Sequence, residues 1–158
     1  MKNLIIFTTK YGSVEKCANL LKEKLNGETV IVNLKNGTVP VLDDFDNIIL
    51  GGSVYMGRTQ KELMEFAKNN LQKLLEKRIG LFLNCAEKTE RKYEQCKNCF
   101  PAELFDKAVA KGFFGDEIIW EKCSFFDKML IRMIRKSKES FSNISQEEIA
   151  KFAEQMNS

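Results

Sequence analysis

The fold is decided near the N-terminus by the stretch Leu4-Ile5-Ile6-Phe7-Thr8-Thr9-Lys10-Tyr11-Gly12-Ser13. Its first four residues form a continuous apolar run, which is typical of a strand buried on both faces of a parallel sheet. Between Val14 and Leu25, apolar side chains recur at three- and four-residue spacing, which predicts an amphipathic helix. The chain therefore opens as a strand, a polar loop and a helix, the first half of a βαβ unit.

The same alternation continues along the rest of the chain. Further strands are predicted at Thr29–Val32, Asn47–Leu50, Ile79–Leu83 and Ala110–Phe114. Further helices are predicted at Gln60–Lys77, Arg91–Ala108 with an interruption at Pro101, and Ser145–Met156, which opens with a capping box. Alternating strands and helices imply right-handed crossovers. We therefore expect an α/β fold with a doubly wound, five-stranded parallel sheet in the order 2-1-3-4-5. In such a sheet, ligands bind where the strand order reverses, at the loops after Phe7 and Leu50.

The composition agrees with one globular domain spanning residues 1–158. The chain is 44% apolar with a mean hydropathy of −0.30, so one hydrophobic core can form. Two prolines, nine glycines and 30% charged residues exclude the collagen-like and disordered classes. No apolar run approaches the roughly 18 to 20 residues that span a bilayer, and the N-terminus lacks a signal-peptide pattern. We expect a soluble, cytoplasmic protein.

The absence of histidine excludes several kinds of site, among them Ser-His-Asp and Cys-His nucleophiles and imidazole metal centres. Five cysteines are typical of reduced intracellular thiols rather than of a secreted disulfide framework. Cys96 and Cys99 form a lone C-x-x-C, for which three interpretations stay open. They are ordinary packed or surface thiols, a reversible disulfide, or half of a metal site completed by Cys85 and Cys123. We expect ordinary thiols and no metal.

The loop after the first strand carries the residue types that bind a phosphate. It offers the hydroxyls of Thr8, Thr9 and Ser13, the cation Lys10 and the flexible Gly12. The unpaired amides and the dipole of the following helix favour an anion at the same place. The alternative is that these hydroxyls only cap the helix, but their number exceeds what one cap requires.

The loop after the third strand runs from Gly51 to Thr59 and contains a near match to the nucleotide-binding G-x-x-x-x-G-K-[ST] pattern. Arg58 stands where that pattern needs lysine, and no aspartate ends a neighbouring strand to hold magnesium, so we reject a P-loop. We interpret the loop as a small-residue turn that lets the backbone approach a flat ring. Tyr55 and Met56 would offer apolar contact area to that ring.

Three segments resemble one known family: Thr8-Thr9-Lys10-Tyr11-Gly12-Ser13, Gly51-Gly52-Ser53-Val54-Tyr55-Met56-Gly57-Arg58 and Phe113-Phe114-Gly115. They are similar to flavodoxin-domain proteins of the menaquinone-dependent protoporphyrinogen dehydrogenase type, and the similarity runs through most of the chain. The late segment Phe125–Ile134 resembles the insert that distinguishes this group from short flavodoxins. The chain departs from electron-carrier flavodoxins at Tyr11, where they usually have a hydroxyl residue, and in lacking their acidic surface.

This resemblance implies that the cofactor is FMN, bound at the switch point for which flavodoxin is itself the known example. The phosphate would lie on Thr8, Thr9, Lys10, Gly12 and Ser13, and Tyr11 of the same loop would also contact the cofactor. The isoalloxazine ring would lie between Ser53, Val54, Tyr55, Met56, Gly57 and Arg58 on one side and Asn84, Cys85, Ala86 and Glu87 on the other. Arg58 would either stabilise negative charge on the reduced flavin or face solvent.

The resemblance also implies a function. The flavin would carry the chemistry, so no catalytic side chain is named. The expected function is that of an FMN-dependent oxidoreductase that passes electrons to a quinone or to a redox partner protein. The alternative is a soluble flavodoxin-type electron carrier with no substrate of its own.

A basic amphipathic helix is predicted at Phe125–Lys136. Residues 121–140 contain six cations and three anions, which accounts for the net charge of +3 of the whole chain. On a helical wheel one half-turn is apolar, comprising Phe125, Phe126, Met129, Leu130, Met133 and Ile134, and Lys128, Arg132, Arg135 and Lys136 cluster opposite. Two interpretations stay open: the apolar half packs on its own domain, or the helix makes peripheral contact with the inner face of a membrane or with an acidic partner. Nucleic-acid binding is not expected, because no basic stripe interleaved with aromatic residues is present.

Overall fold

A computed structural model describes residues 1–55, 57–85 and 92–158 of the chain. One parallel sheet has the order β2-β1-β3-β4-β5. Its strands are β1 Lys2–Phe7, β2 Glu28–Asn33, β3 Asn47–Ser53, β4 Arg78–Asn84 and β5 Ala110–Phe113. The predicted doubly wound sheet and its strand order are confirmed.

Seven α-helices lie in the described part of the chain. They are α1 Ser13–Lys22, α2 Lys61–Asn69, α3 Leu71–Leu75, α4 Lys92–Cys99, α5 Ala102–Lys107, α6 Phe125–Arg135 and α7 Gln146–Asn157. A short antiparallel ribbon, β6 Glu117–Ile118 with β7 Phe141–Ser142, brackets α6. Two-residue strands leave no periodic pattern, which is why the sequence did not predict this ribbon. None of the helices so described is long and apolar enough to cross a membrane.

Both faces of β1 are buried, as its unbroken apolar run predicts. Leu4 and Ile6 face the core under α2 to α5, whereas Ile5 and Phe7 face the core under α1 and α7. This split follows from the two-residue period of a strand, which sends alternate side chains to opposite faces. The sheet is therefore a rigid base that holds the loops at its carboxyl edge.

Two predicted helix boundaries are wrong. The helix predicted at Gln60–Lys77 is divided at Asn70, whose side-chain amide donates to the Phe66 carbonyl at 2.9 Å and so competes with the helical backbone. The helix predicted to reach Leu25 ends at Lys22, and a turn follows.

Other helix predictions hold. Pro101 divides the predicted Arg91–Ala108 segment into α4 and α5, with Arg91 itself outside the described residues. The capping box is confirmed, since the Ser145 hydroxyl accepts a hydrogen bond from the Glu148 amide at the start of α7. The predicted insert helix is also confirmed as α6, which ends in a left-handed Lys136.

The interpretation that α6 packs its apolar half on its own domain is wrong. Phe125, Phe126, Met129, Met133 and Ile134 are between 49% and 80% exposed. The helix instead turns Asp127 inward, together with the half-buried Ile131. The physical reason is that the Asp127 carboxylate bonds to three polar partners in the domain, Lys10, Tyr11 and Tyr55.

Candidate functional site

The loops after β1 and β3 lie side by side at the carboxyl edge of the sheet. Phe7, the last residue of β1, is the register partner of Gly51 in β3, and the Thr8 amide donates to the Gly51 carbonyl at 3.1 Å. β4 adds its own end, Asn84, beside Ser53. The predicted switch point therefore brings three loops together.

The loop between β1 and α1 leaves the start of α1 without a side-chain cap. Gly12 occupies the N-cap position with a φ of 94°, a left-handed conformation that favours glycine. The Thr9 hydroxyl accepts a hydrogen bond from the Gly12 amide at 2.9 Å, so it stabilises the loop and does not cap the helix. The helix-capping alternative is therefore wrong, because among the described residues no side chain caps α1. The amides of its first turn lack intrahelical partners and favour an anion.

Thr8 and Ser53 are joined by Gln60, a residue that the sequence did not single out. The Gln60 side-chain oxygen accepts from the Thr8 hydroxyl at 2.8 Å and from the Ser53 amide at 3.3 Å. Its amide nitrogen donates to the Ser53 hydroxyl at 2.5 Å. Gln60 precedes α2, so it ties the two loops to that helix. Its position directly after a glycine-rich loop is the one signal that could have pointed to it.

Tyr55 and Arg58 close a tight turn in the loop after β3. Their backbones exchange two hydrogen bonds of 2.9 and 3.1 Å, and Gly57 between them has a φ of 75°. Met56, predicted to contact the ring, lies outside the described residues. The Tyr55 ring is 43% exposed and is therefore available to a ligand.

Lys10, Tyr11, Tyr55 and Asp127 form a group that we call the Asp127 cluster. The Asp127 carboxylate accepts from the Tyr11 hydroxyl and, at 2.9 Å, from the Tyr55 hydroxyl, and it lies 2.6 Å from the Lys10 ammonium. Lys10 also lies 4.6 Å from the centroid of the Tyr55 ring, within cation–π distance. The sequence pattern did not single out Asp127 as a site residue. Its signal is an acidic residue in the first turn of a basic and apolar helix.

The electrostatics of the Asp127 cluster favour its charged form. Burial by itself raises the pKa of Asp127, but hydrogen bonds from Lys10, Tyr11 and Tyr55 outweigh it and lower the pKa to about 2. The hydrogen bond to Asp127 raises the pKa of Lys10, and the same carboxylate raises the pKa of Tyr55. At neutral pH the Asp127 carboxylate is therefore charged and faces the Lys10 ammonium and the neutral phenol of Tyr55.

The structure brings together six of the predicted site residues around one cavity of about 110 Å³. They are Lys10, Tyr11, Ser13, Ser53, Val54 and Tyr55, and they share its walls with Asp116, Glu117, Ile118, Cys123, Asp127 and Ile131. Gly57 and Arg58 instead line a separate, more open cavity of about 660 Å³ with Lys61 and Lys68.

Asn84 ends β4 with a buried acceptor that has no hydrogen-bond partner among the described residues. Its side-chain oxygen is the unpartnered atom, whereas its side-chain amide donates to the Cys17 sulfur at 3.3 Å. Buried acceptors are normally satisfied, so this oxygen indicates a donor supplied by a ligand or by water. Cys85 follows, buried, and its amide donates to the Gly115 carbonyl. Ala86 and Glu87, predicted beside it, lie outside the described residues.

The C-x-x-C thiols Cys96 and Cys99 belong to α4 and are buried in the core that this helix covers. Burial raises the pKa of Cys96 to about 12 and that of Cys99 to about 11, so both are protonated thiols at neutral pH. Across residues 1–55, 57–85 and 92–158, no group of three or more potential ligands could hold a metal ion.

Comparisons with known proteins place this geometry in context. The family described as "Flavodoxin domain" matches residues 4–145 of the chain. The protoporphyrinogen IX dehydrogenase (quinone) of Leishmania major is 22% identical over 144 residues, which cover 85% of this chain and 62% of that protein. An uncharacterised protein of Methanocaldococcus jannaschii is 27% identical over 128 residues, which cover 78% of this chain and 74% of that protein. The chain thus spans about three fifths of the length of the first relative.

A solved structure supports the same fold. The flavodoxin of Streptococcus pneumonia TIGR4 superposes with a TM-score of 0.58 at 16% identity, covering 99% of this chain and 97% of that one. The family match and the flavodoxin neighbours support FMN as the cofactor. The chemistry of the described residues fits FMN, because the uncapped start of α1 suits a phosphate and the unpartnered Asn84 oxygen at the end of β4 can accept a hydrogen bond from a ring N–H.

Proposed function

The chain belongs to the flavodoxin-domain family, and from that premise we propose that it is an FMN-dependent oxidoreductase that delivers electrons to a quinone at a membrane surface. The observation that carries this proposal is the exposed apolar face of α6. The same helix borders the candidate flavin site through Asp127 and Ile131. A quinone with an apolar tail dissolves in the bilayer, so an enzyme that uses one gains from lying on that surface.

The proposed flavin site uses the residues at the switch point. The phosphate-binding residues are Thr8, Thr9, Lys10, Tyr11, Gly12 and Ser13, and the ring-binding residues are Ser53, Val54, Tyr55, Met56, Gly57, Arg58, Asn84, Cys85, Ala86 and Glu87. When bound, FMN supplies the redox chemistry, accepting electrons from one substrate and passing them to another. The chain binds and orients it: α1 presents amides to the phosphate, Tyr55 offers a ring face, and the Asn84 oxygen accepts a hydrogen bond.

The proposed membrane contact is made by α6. Of the nine large apolar or aromatic side chains exposed in the described part of the chain, five lie on this one helix. Arg132 on α6 and Lys136 at its C-cap are also exposed, so the same helix presents cationic as well as apolar groups to solvent. Such a pattern is typical of helices that lie in the interface of an anionic bilayer. We propose that this face of α6 contacts an anionic lipid surface.

The proposed electron donor is a porphyrinogen, following the relationship to the Leishmania major dehydrogenase. At 22% identity that relationship supports the reaction class less strongly than the family match supports the cofactor. The competing function is an electron carrier with no substrate of its own, which fits the superposition on a flavodoxin over nearly the whole chain.

One pair of measurements tests the proposal. The absorption spectrum of the purified protein is expected to show bound flavin, and the flavin released on denaturation is expected to be FMN and not FAD. The flavoprotein is then supplied anaerobically with protoporphyrinogen and a menaquinone analogue, and oxidation of the porphyrinogen is followed. Turnover supports the oxidoreductase, whereas reversible flavin reduction without turnover identifies the carrier.

A further inference from the structure

Asp127 joins α6 to both loops of the proposed flavin site. Lys10 and Tyr11 follow β1 and Tyr55 follows β3, and all three bond to the same carboxylate. The side chain is only 4% exposed, so this is a nearly buried charge that bonds to three partners. Removing such a group costs more than the bonds themselves, since its partners are left without an acceptor.

These polar contacts dominate the attachment of the first half of α6, because its large apolar side chains point away from the domain. Phe125 and Phe126 are at least 72% exposed. Ser124 accepts a hydrogen bond from the Asp127 amide at 3.2 Å, and its own amide donates to the Tyr11 hydroxyl at 3.2 Å. The position of α6 over the loops is therefore tied to the state of Asp127.

The space beneath α6 is too small for a flavin in this arrangement. The cavity has a volume of about 110 Å³, whereas sites for small organic ligands hold roughly 300 Å³ or more. Its wall also carries the carboxylates of Asp116 and Glu117. The only cation of the loop between β1 and α1, Lys10, is already paired with Asp127. An anionic cofactor of flavin size does not fit while α6 stays in this position.

We propose that Asp127 is a positioning residue that holds α6 closed over the flavin site and releases Lys10 when FMN binds. This inference rests on the proposed flavin site. On binding, α6 moves outward, the Asp127 carboxylate becomes hydrated, and the Lys10 ammonium exchanges from that carboxylate to the phosphate of FMN. In the closed state the same carboxylate orients the Tyr11 and Tyr55 hydroxyls, so one residue sets both the width and the charge of the site.

The test measures how fast apoprotein, freed of its flavin, takes up FMN, using the quenching of flavin fluorescence on binding. Asp127→Asn keeps the shape of the side chain but removes the charge that holds Lys10. We expect its association rate to rise at least tenfold. The matched control is Glu139→Gln, which removes one carboxylate from the same segment at an exposed position with no described side-chain partner. This control is expected to bind FMN at the parent rate.

Trp120, the single tryptophan of the chain, provides a second measurement that needs no flavin. It is half-buried five residues before the start of α6, and the Lys128 ammonium on that helix lies 5.7 Å from the centroid of its ring. If Asp127 holds α6 closed, apo Asp127→Asn shows red-shifted Trp120 emission and the control does not. Asp127→Glu, which retains the charge, is expected to return both the emission and the association rate toward the parent values.

A lower melting temperature of Asp127→Asn with unchanged association rate and unchanged Trp120 emission would overturn the proposal, since it would show a merely structural carboxylate. Slower association would overturn it as well. If Asp127→Asn folds poorly, Tyr55→Phe removes one hydrogen bond and keeps the ring, and a smaller rise in association rate is expected. Failure of the parent protein to bind FMN would refute the proposed flavin site, while the emission of the apo variants still decides whether Asp127 holds α6.

Discussion

Binding of α6 to anionic vesicles is the prediction on which the proposed membrane contact depends most directly. The perturbation is the double substitution of Arg132 and Lys136 by glutamine. Arg132 lies on α6 and Lys136 directly follows it; both side chains are exposed and have no partner among the described residues, so their replacement is expected to leave the fold intact. Arg135 is left in place because its guanidinium stacks 3.3 Å from the centre of the Phe141 ring in the β6–β7 ribbon.

The magnitude follows from the number of cations removed. A lysine or arginine near an anionic surface contributes about 1 kcal/mol, so the double variant loses about 2 kcal/mol, or roughly 30-fold in the partition coefficient. Co-sedimentation with phosphatidylserine-containing vesicles at low salt measures it. Raising the salt in the parent protein is expected to give the same loss, because the attraction decays within a Debye length.

The matched control replaces Lys22 and Lys24 by glutamine. These two exposed lysines lie at the end of α1, away from the loops and from α6, and their replacement changes the net charge equally. A third variant, Phe126→Ser, tests the apolar contribution at a side chain that is 80% exposed. It is expected to lose about 1.5 to 3 kcal/mol of vesicle binding, the transfer free energy of a large apolar side chain. The proposed membrane contact of α6 is refuted if the parent protein does not bind the vesicles, or if the two double variants lose binding equally.

Three further predictions concern the site and the sheet. Ser13→Val at the start of α1 is expected to weaken FMN binding by about 1.5 to 3 kcal/mol, the contribution of a hydrogen bond to a charged group, and an unchanged dissociation constant by fluorescence titration would contradict the phosphate assignment. Gly51→Ala places a Cβ 2.1 Å from the ring of Phe82, so urea unfolding is expected to show a loss of about 1 to 3 kcal/mol from overpacking; no loss would mean that the ring moves freely. The Asp127 carboxylate, whose pKa is lowered to about 2, stabilises the folded chain fully above about pH 4, and this contribution is lost as the pH falls toward 2. The difference in melting temperature between the parent and Asp127→Asn is therefore expected to shrink as the pH falls from 4 to 2. A difference that stays constant over this range would show that the charge of Asp127 does not contribute to stability.

Only part of the candidate site could be predicted from the sequence. The other part depends on contacts between residues that are distant in the chain. The hydroxyl-rich loop 8–13 could be singled out as a candidate phosphate-binding loop, because small polar residues directly follow a buried strand. Gln60 and Asp127 were missed, because their roles depend on partners 52 and 116 residues away in the chain. A local pattern carries no information about such partners.

Helix α6 shows which properties of an element follow from the local sequence and which follow from tertiary contacts. Its helical conformation and its apolar half-turn follow from a period of 3.6 residues, which any short window of sequence contains. Which half faces the domain is a tertiary question, and the pattern allowed either answer. The structure buries Asp127 and exposes Phe125 and Phe126, because Lys10, Tyr11 and Tyr55 all bond to the carboxylate at that place.

The five strands, their alternation with helices and the sheet order could be predicted from the sequence, since buried runs of apolar residues and right-handed crossovers leave few arrangements. The same pattern predicts that a ligand binds in the loops at the carboxyl edge of that sheet. How those loops are held together, and how large the cavity between them is, depends on the tertiary structure. Those properties depend on hydrogen bonds and ion pairs between elements that are distant in sequence, and these form only after the sheet has brought the elements together.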